Sequence, residues 1–279
     1  MRTAVGATLA LVGTAIVAAV AAFSLWSVSG STPADSDEPV DLEASRDHTG
    51  KDQPTGDRTS ASPFAVWGHN ADGGPIRWDP CRPIKVAISP DGGPDGWIDD
   101  LEEALRRVDE ATALTFDIVG TTAERPRSDR SLISARNGTT GWAPVLIAWA
   151  SPGETDLDLG HADRGLAIPV AIGTAQQRTF VTGQIVFNAQ RAHFGTHLTR
   201  HDHITTGWDD RSHSWGATIL HEVMHLVGLD HVDDPNELMY GPPGEGPIEF
   251  GPGDKAGLAY VAGDADCIEV PAVERFTSR

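Results

Sequence analysis

The stretch His221-Glu222-Val223-Met224-His225-Leu226-Val227-Gly228-Leu229-Asp230-His231 spells H-E-x-x-H-x-x-G-x-x-H, and this spacing constrains the fold more than any other feature of the chain. On a helix, residues four apart lie one above the other on a single face, so His221 and His225 can share one ligand. That arrangement suits a Zn²⁺ ion, which takes imidazole nitrogen at about 2.0–2.1 Å. Glu222 lies beside the pair without joining it, as a base for a water activated by the ion. Gly228 can take the left-handed conformation that ends a helix. The chain would then turn back and bring His231 in as a third ligand, leaving a fourth position open, as in catalytic zinc sites. The added Gly and third His lower the chance of a random match by about three orders of magnitude. The competing reading is a buried helix with two satisfied histidines.

Asn236-Glu237-Leu238-Met239-Tyr240-Gly241 follows the third histidine at a short distance. With it, the motif resembles the metzincin metallopeptidases, in which a methionine turn lies beneath the metal. Met239 matches that methionine. Leu238-Met239-Tyr240 is similar to the matrixin form of the turn, so the resemblance implies that Tyr240 walls a substrate pocket and does not ligate the metal. Ile84–Ile88, Ala113–Phe116 and Val145–Ala150 resemble the first three matrixin strands, and Gly183–Asn188 resembles the edge strand above the cleft. Gly253–Leu258 resembles the start of the last helix, and the similarity spans roughly residues 64–265. Gly241 is a departure, because the matrixin pattern prefers Pro directly after Tyr240. The structural zinc and calcium loops of matrixins have no recognisable counterpart around residues 150–180.

The implied fold class is α/β, or α+β in the metzincin manner: a twisted mixed sheet, a long crossover helix and a zinc-site helix. A small C-terminal subdomain would lie below the cleft. Apolar periodicity independently predicts an amphipathic helix through Trp97, Leu101, Ala104, Leu105, Val108 and Ala111, joining the first two strands. The zinc helix is expected over 214–228, with Leu220, Met224 and Val227 facing the core, and the last helix over 253–261.

A net charge of -19 excludes the basic face that nucleic acid needs and disfavours anionic lipid. After Arg2 no charge appears before Asp35, and Thr3–Val28 is mainly Ala, Val and Leu. Residues 1–29 therefore read as an export signal, cleaved near Ala19-Val20-Ala21 or retained as a membrane anchor. In both cases the folded part lies outside the cytoplasm. Residues 30–62, rich in Ser, Thr, Pro, Asp and Gly, read as a disordered linker, with a propeptide as the alternative. The catalytic domain is assigned to 63–279. Cys81 and Cys267 are expected to form a disulfide in an oxidising compartment. Pro80-Cys81-Arg82-Pro83 also resembles the matrixin cysteine switch, which stands with free thiols as an alternative.

The expected function is a monomeric, exported zinc endopeptidase acting on protein or peptide substrates. Its site residues are Glu222 as general base, His221, His225 and His231 as ligands, Met239 as support and Tyr240 in the pocket. Main-chain groups near Ile185–Phe187 would hold an extended substrate. A zinc amidase acting on cell-wall peptides is the alternative, and a non-catalytic surface-binding domain a third. Asp156–Asp163 is acidic enough for Ca²⁺, and a solvated acidic loop is the preferred reading. His193, His197, His201, His203 and His213 crowd the segment before the zinc helix with no metal-site spacing.

Overall fold

A computed structural model describes residues 63–273, apart from 137, 175, 194–203, 209–213, 242–245 and 264–265. The signal or anchor segment, the linker and all the crowded histidines but His193 lie outside these residues. Among the described residues no helix is long and apolar enough to cross a membrane.

In chain order the elements are β1 (Ala65–Val66), β2 (Ile84–Ile88), α1 (Trp97–Ala111), β3 (Phe116–Thr121), β4 (Ile133–Arg136), β5 (Thr139–Trp142) and β6 (Val145–Ala150). They continue with β7 (Gly165–Gly173), β8 (Arg178–Asn188), α2 (Ala189–His193), α3 (Trp215–Val227), β9 (Leu229–Asp230) and α4 (Pro252–Ala262). The chain is thus mixed α/β, with a five-stranded sheet ordered β3-β2-β6-β8-β7. Pairings within it are parallel except β7 with β8, which is antiparallel. Two small ribbons, β1-β9 and β4-β5, complete the strands.

The long helix forms as its periodicity predicts. Trp97, Leu101, Ala104, Leu105 and Val108 of α1 are buried, and the helix connects the parallel pair β2 and β3. They share one core with Ile185 and Phe187 of β8, Ile219, Leu220 and Val223 of α3, and Met239. β6 is buried at every position, as a strand covered on both faces must be.

Two strand expectations need correction. The second strand is Phe116–Thr121, beginning where the expected Ala113–Phe116 ends. Ala113 N–H donates to Ala262 O at the end of α4 (2.8 Å) and Leu114 N–H to Thr112 Oγ1 in the turn after α1 (3.1 Å), so neither donor serves a ladder. The edge strand is not Gly183–Asn188. That segment belongs to β8, paired on both sides and buried along nearly its whole length. The edge is β7, which contains Pro169. A proline inside a strand is tolerated at an edge, where no partner needs its missing N–H.

Cys81 and Cys267 form a disulfide across a sequence separation of 186, with Cα atoms 5.3 Å apart. Asp79 Oδ1 accepts from the N–H groups of Cys81 (3.1 Å) and Ile268 (3.2 Å), so the chain on both sides of the bond shares one carboxylate. The disulfide expectation holds, and a switch thiol is overturned because Cys81 is consumed in the bond. Reducing the protein, or replacing both cysteines by serine, should cost about 2–5 kcal/mol of stability. Denaturant unfolding with and without reductant measures this.

Candidate metal centre

α3 carries two of the three histidines. Ser214 caps it, accepting from Ala217 N–H (3.3 Å), and every residue from Trp215 to Val227 is buried. Gly228 ends it at φ 115°, its N–H donating to His225 O (3.0 Å). That left-handed geometry is strained for any residue with a Cβ. The chain then runs through β9, and Asp230 Oδ1 accepts from His231 N–H (2.7 Å) as the ring returns to the helix.

The imidazoles are oriented by main-chain carbonyls. His221 Nδ1 lies 2.7 Å from Leu238 O, and His225 Nδ1 lies 2.9 Å from Leu229 O. A carbonyl can only accept, so both protons sit on Nδ1 and both Nε2 atoms carry bare lone pairs. Each of those Nε2 atoms lies 3.1 Å from His231 Nε2. Ligands of a tetrahedral ion at 2.0–2.1 Å stand about 3.3 Å apart, so the three nitrogens fit a metal. Burial lowers all three pKa values, helped by repulsion from neighbouring imidazoles at His221, which falls to about 3, and at His225; His231 also falls below its ordinary range, against the pull of Asp230. The triad is therefore neutral at pH 7, the form a metal requires. His221, His225 and His231 could together hold a metal ion.

Glu222 is 6% exposed, and its carboxyl faces β7. Burial raises its pKa to about 8; Asp163 adds to this, and a hydrogen bond from Ala167 N–H opposes it. A cation beside it would act in the lowering direction. Asn188 N–H donates to Arg164 O (2.9 Å), so the residues of β7 in register with Leu166 and Ile168 point their main-chain groups at β8. By alternation Gly165, Ala167 and Pro169 turn theirs to the open side, where the Ala167 N–H meets Glu222.

The turn at Met239 is tied to this ligand set. Leu238 supplies the carbonyl that orients His221. Met239 is buried, and its carbonyl accepts from Val232 N–H (2.9 Å), next to the third histidine. Tyr240 is half-buried, with its N–H donating to Glu237 O (3.1 Å). Asp254, on the first turn of α4, accepts from the N–H groups of Leu238 (2.6 Å), Met239 (3.2 Å) and Gly251 (2.8 Å). Glu237 returns the contact, accepting from Gly253 (2.9 Å) and Asp254 (2.8 Å). Burial raises the Asp254 pKa, while its three N–H donors favour the charged form.

Sequence reasoning missed Asp254, Glu237, Gly165 and Ala167. An acid on the first turn of a helix that starts with Pro is a legible cap signal. Its reach to another turn is not, and neither is the contact of a strand glycine with a helix carboxylate.

The other expected clusters resolve differently. Asp156 accepts from Ser128 N–H (2.8 Å) and Asp163 from Gly160 N–H (2.7 Å), so these carboxylates hold their loop. Among the described residues the only other metal-compatible grouping is Asp79, Cys81 and Cys267, whose sulfurs are bonded to each other. A cavity of about 370 Å³ lined by Glu124, Arg125, Arg127, Asp129, Arg130 and Ser131 shares no residue with the histidine cluster.

Compared with known proteins, the chain matches no family model and no curated relative.

Imidazoles whose pKa falls on folding stabilise the native state fully above the ordinary value of 6.5, and progressively less below it. In chelator and in a Glu222→Gln background, which removes the opposing titration of the raised Glu222 carboxyl, the thermal midpoint should therefore drop as pH is lowered from about 7 to 5. The drop should be shallower in His225→Gln. Calorimetry across that range checks both.

Proposed function

We propose that the chain is a zinc-dependent endopeptidase working outside the cytoplasm, with a metzincin-like, matrixin-type domain. The observation that carries this reading is the convergence of the His221, His225 and His231 Nε2 atoms beside a buried, unligated glutamate. An all-imidazole, neutral ligand set is the donor chemistry that suits Zn²⁺. The disulfide supports an oxidising compartment, and an N-terminal export signal or anchor agrees with it.

Zn²⁺ bound at three imidazoles supplies Lewis acidity, lowering the pKa of a water and polarising a carbonyl. Glu222 is placed to take a proton on one side of the reaction and return it to the leaving amine on the other. Ala167 N–H and the surrounding apolar packing hold its carboxyl in place. His221 and His225 keep their tautomers through Leu238 O and Leu229 O, so their Nε2 lone pairs stay available. Met239 secures the turn that carries Leu238, and Tyr240, directly after it, is assigned to a wall of the substrate pocket.

An extended substrate is assigned to β7 and not to β8. With the Ala167 N–H taken by Glu222, the outward carbonyls of Gly165 and Ala167 offer a strand edge beside the base, and an added strand is a standard mode of peptide capture. This replaces the Ile185–Phe187 expectation.

Chelation should abolish cleavage of unfolded protein substrates, and added Zn²⁺ should restore it. Glu222→Gln should lower kcat by about 10²–10⁴-fold while metal content stays at the wild-type level. A fluorogenic protein assay with metal analysis checks both. Digestion of purified wall material in place of protein would favour an amidase instead.

A further inference from the structure

Gly165, the first residue of β7, is a glycine for a reason its own backbone does not supply. It is not among the glycines with positive φ, so an alanine would meet no backbone strain there. The obstacle is Glu222. A Cβ built on Gly165 would lie 2.8 Å from Glu222 Cδ, 2.8 Å from Cγ and 2.8 Å from Oε1. Real Cβ atoms do not approach that closely, and the contact includes Cγ, not only the mobile end of the side chain. Glu222 has little room to swing away, being 6% exposed on a helix buried throughout. The same strand supplies the Ala167 N–H two residues on.

We propose that Gly165 is a positioning residue: the missing side chain at the start of β7 forms the seat that holds the Glu222 carboxyl against the open strand edge. The inference rests on the reading of Glu222 as the general base. β7 then has two roles at one place. Its open edge receives the substrate strand, and its first residue sets where the base stands relative to that strand. A carboxyl held this way reaches the substrate at a fixed offset, which orientation-dependent catalysis needs. Displacing it by one methyl group changes the offset without touching a metal ligand.

Two readouts on full-length protein test the seat. The first needs no activity. In metal-free protein, Gly165→Ala should lower the thermal midpoint by about 3–10 °C, the usual scale of overpacking in a domain of this size. In a Glu222→Ala background, where the carboxyl is gone, the same change should leave the midpoint within about 1 °C or raise it, since Gly→Ala at an unstrained site is stabilising. The second readout is kinetic. Gly165→Ala should lower kcat about 10–100-fold, with KM and Zn²⁺ affinity within about 3-fold of wild type.

Equal midpoint losses in both backgrounds would overturn the proposal, as would an unchanged kcat in Gly165→Ala. If the midpoint coupling appears but the wild type cleaves no peptide, the seat stands and the endopeptidase reading fails. If the wild type cleaves and the coupling is absent, the peptidase reading stands and the seat fails.

Discussion

Two hydrogen bonds decide what the buried helix α3 can do. His221 and His225 each spend the Nδ1 proton on a main-chain carbonyl, at 2.7 and 2.9 Å. Had those protons gone to Nε2, the rings would present donors to one another and the cluster would be a satisfied polar core. With the protons fixed on the far side, bare lone pairs are turned toward His231 from a helix that is almost wholly buried. The His231 ring carries at most one Nε2 proton to share between two such acceptors. A cation at their meeting point could satisfy all three nitrogens together.

The carbonyls themselves come from segments held elsewhere. Leu229 follows directly on Gly228, whose left-handed turn is what stops α3 and starts the return to His231. Leu238 belongs to the turn gripped by Asp254, and Asp254 is gripped in turn by Glu237. The start of α4 thus reaches the first metal ligand through four links: carboxylate, main-chain N–H, carbonyl, imidazole. On the other side of α3, β7 presses directly on Glu222. Glu222 and the three imidazoles are therefore held by different elements, which lets either be disturbed alone.

The meeting of His221, His225 and His231 was legible because helix periodicity and a glycine stop convert spacing into geometry without further information. α1 was legible from apolar residues recurring at helical intervals, whereas α3 was read from the histidine motif and α4 from the resemblance at Gly253–Leu258. The sheet was read less well. Val145–Ala150 is an unbroken apolar run and was placed correctly. Gly183–Asn188 is equally apolar, but nothing in its residues says whether one neighbour or two flank it. Pro169 carried the signal for the true edge, since a proline inside a strand pattern points to an unpaired side. The contacts of Asp254 and Gly165 join residues distant in sequence, and no local pattern encodes them. The disulfide was legible from two cysteines and an N-terminal segment that reads as an export signal, while its sharing of Asp79 was not.

The most direct test is X-ray absorption at the zinc edge of the purified, metal-loaded protein. The prediction is four-coordinate zinc with three imidazole nitrogens and one further light atom at about 2.0–2.1 Å. A protein that retains no zinc, or one whose zinc has sulfur ligands or fewer than three imidazoles, would contradict the ligand set of His221, His225 and His231.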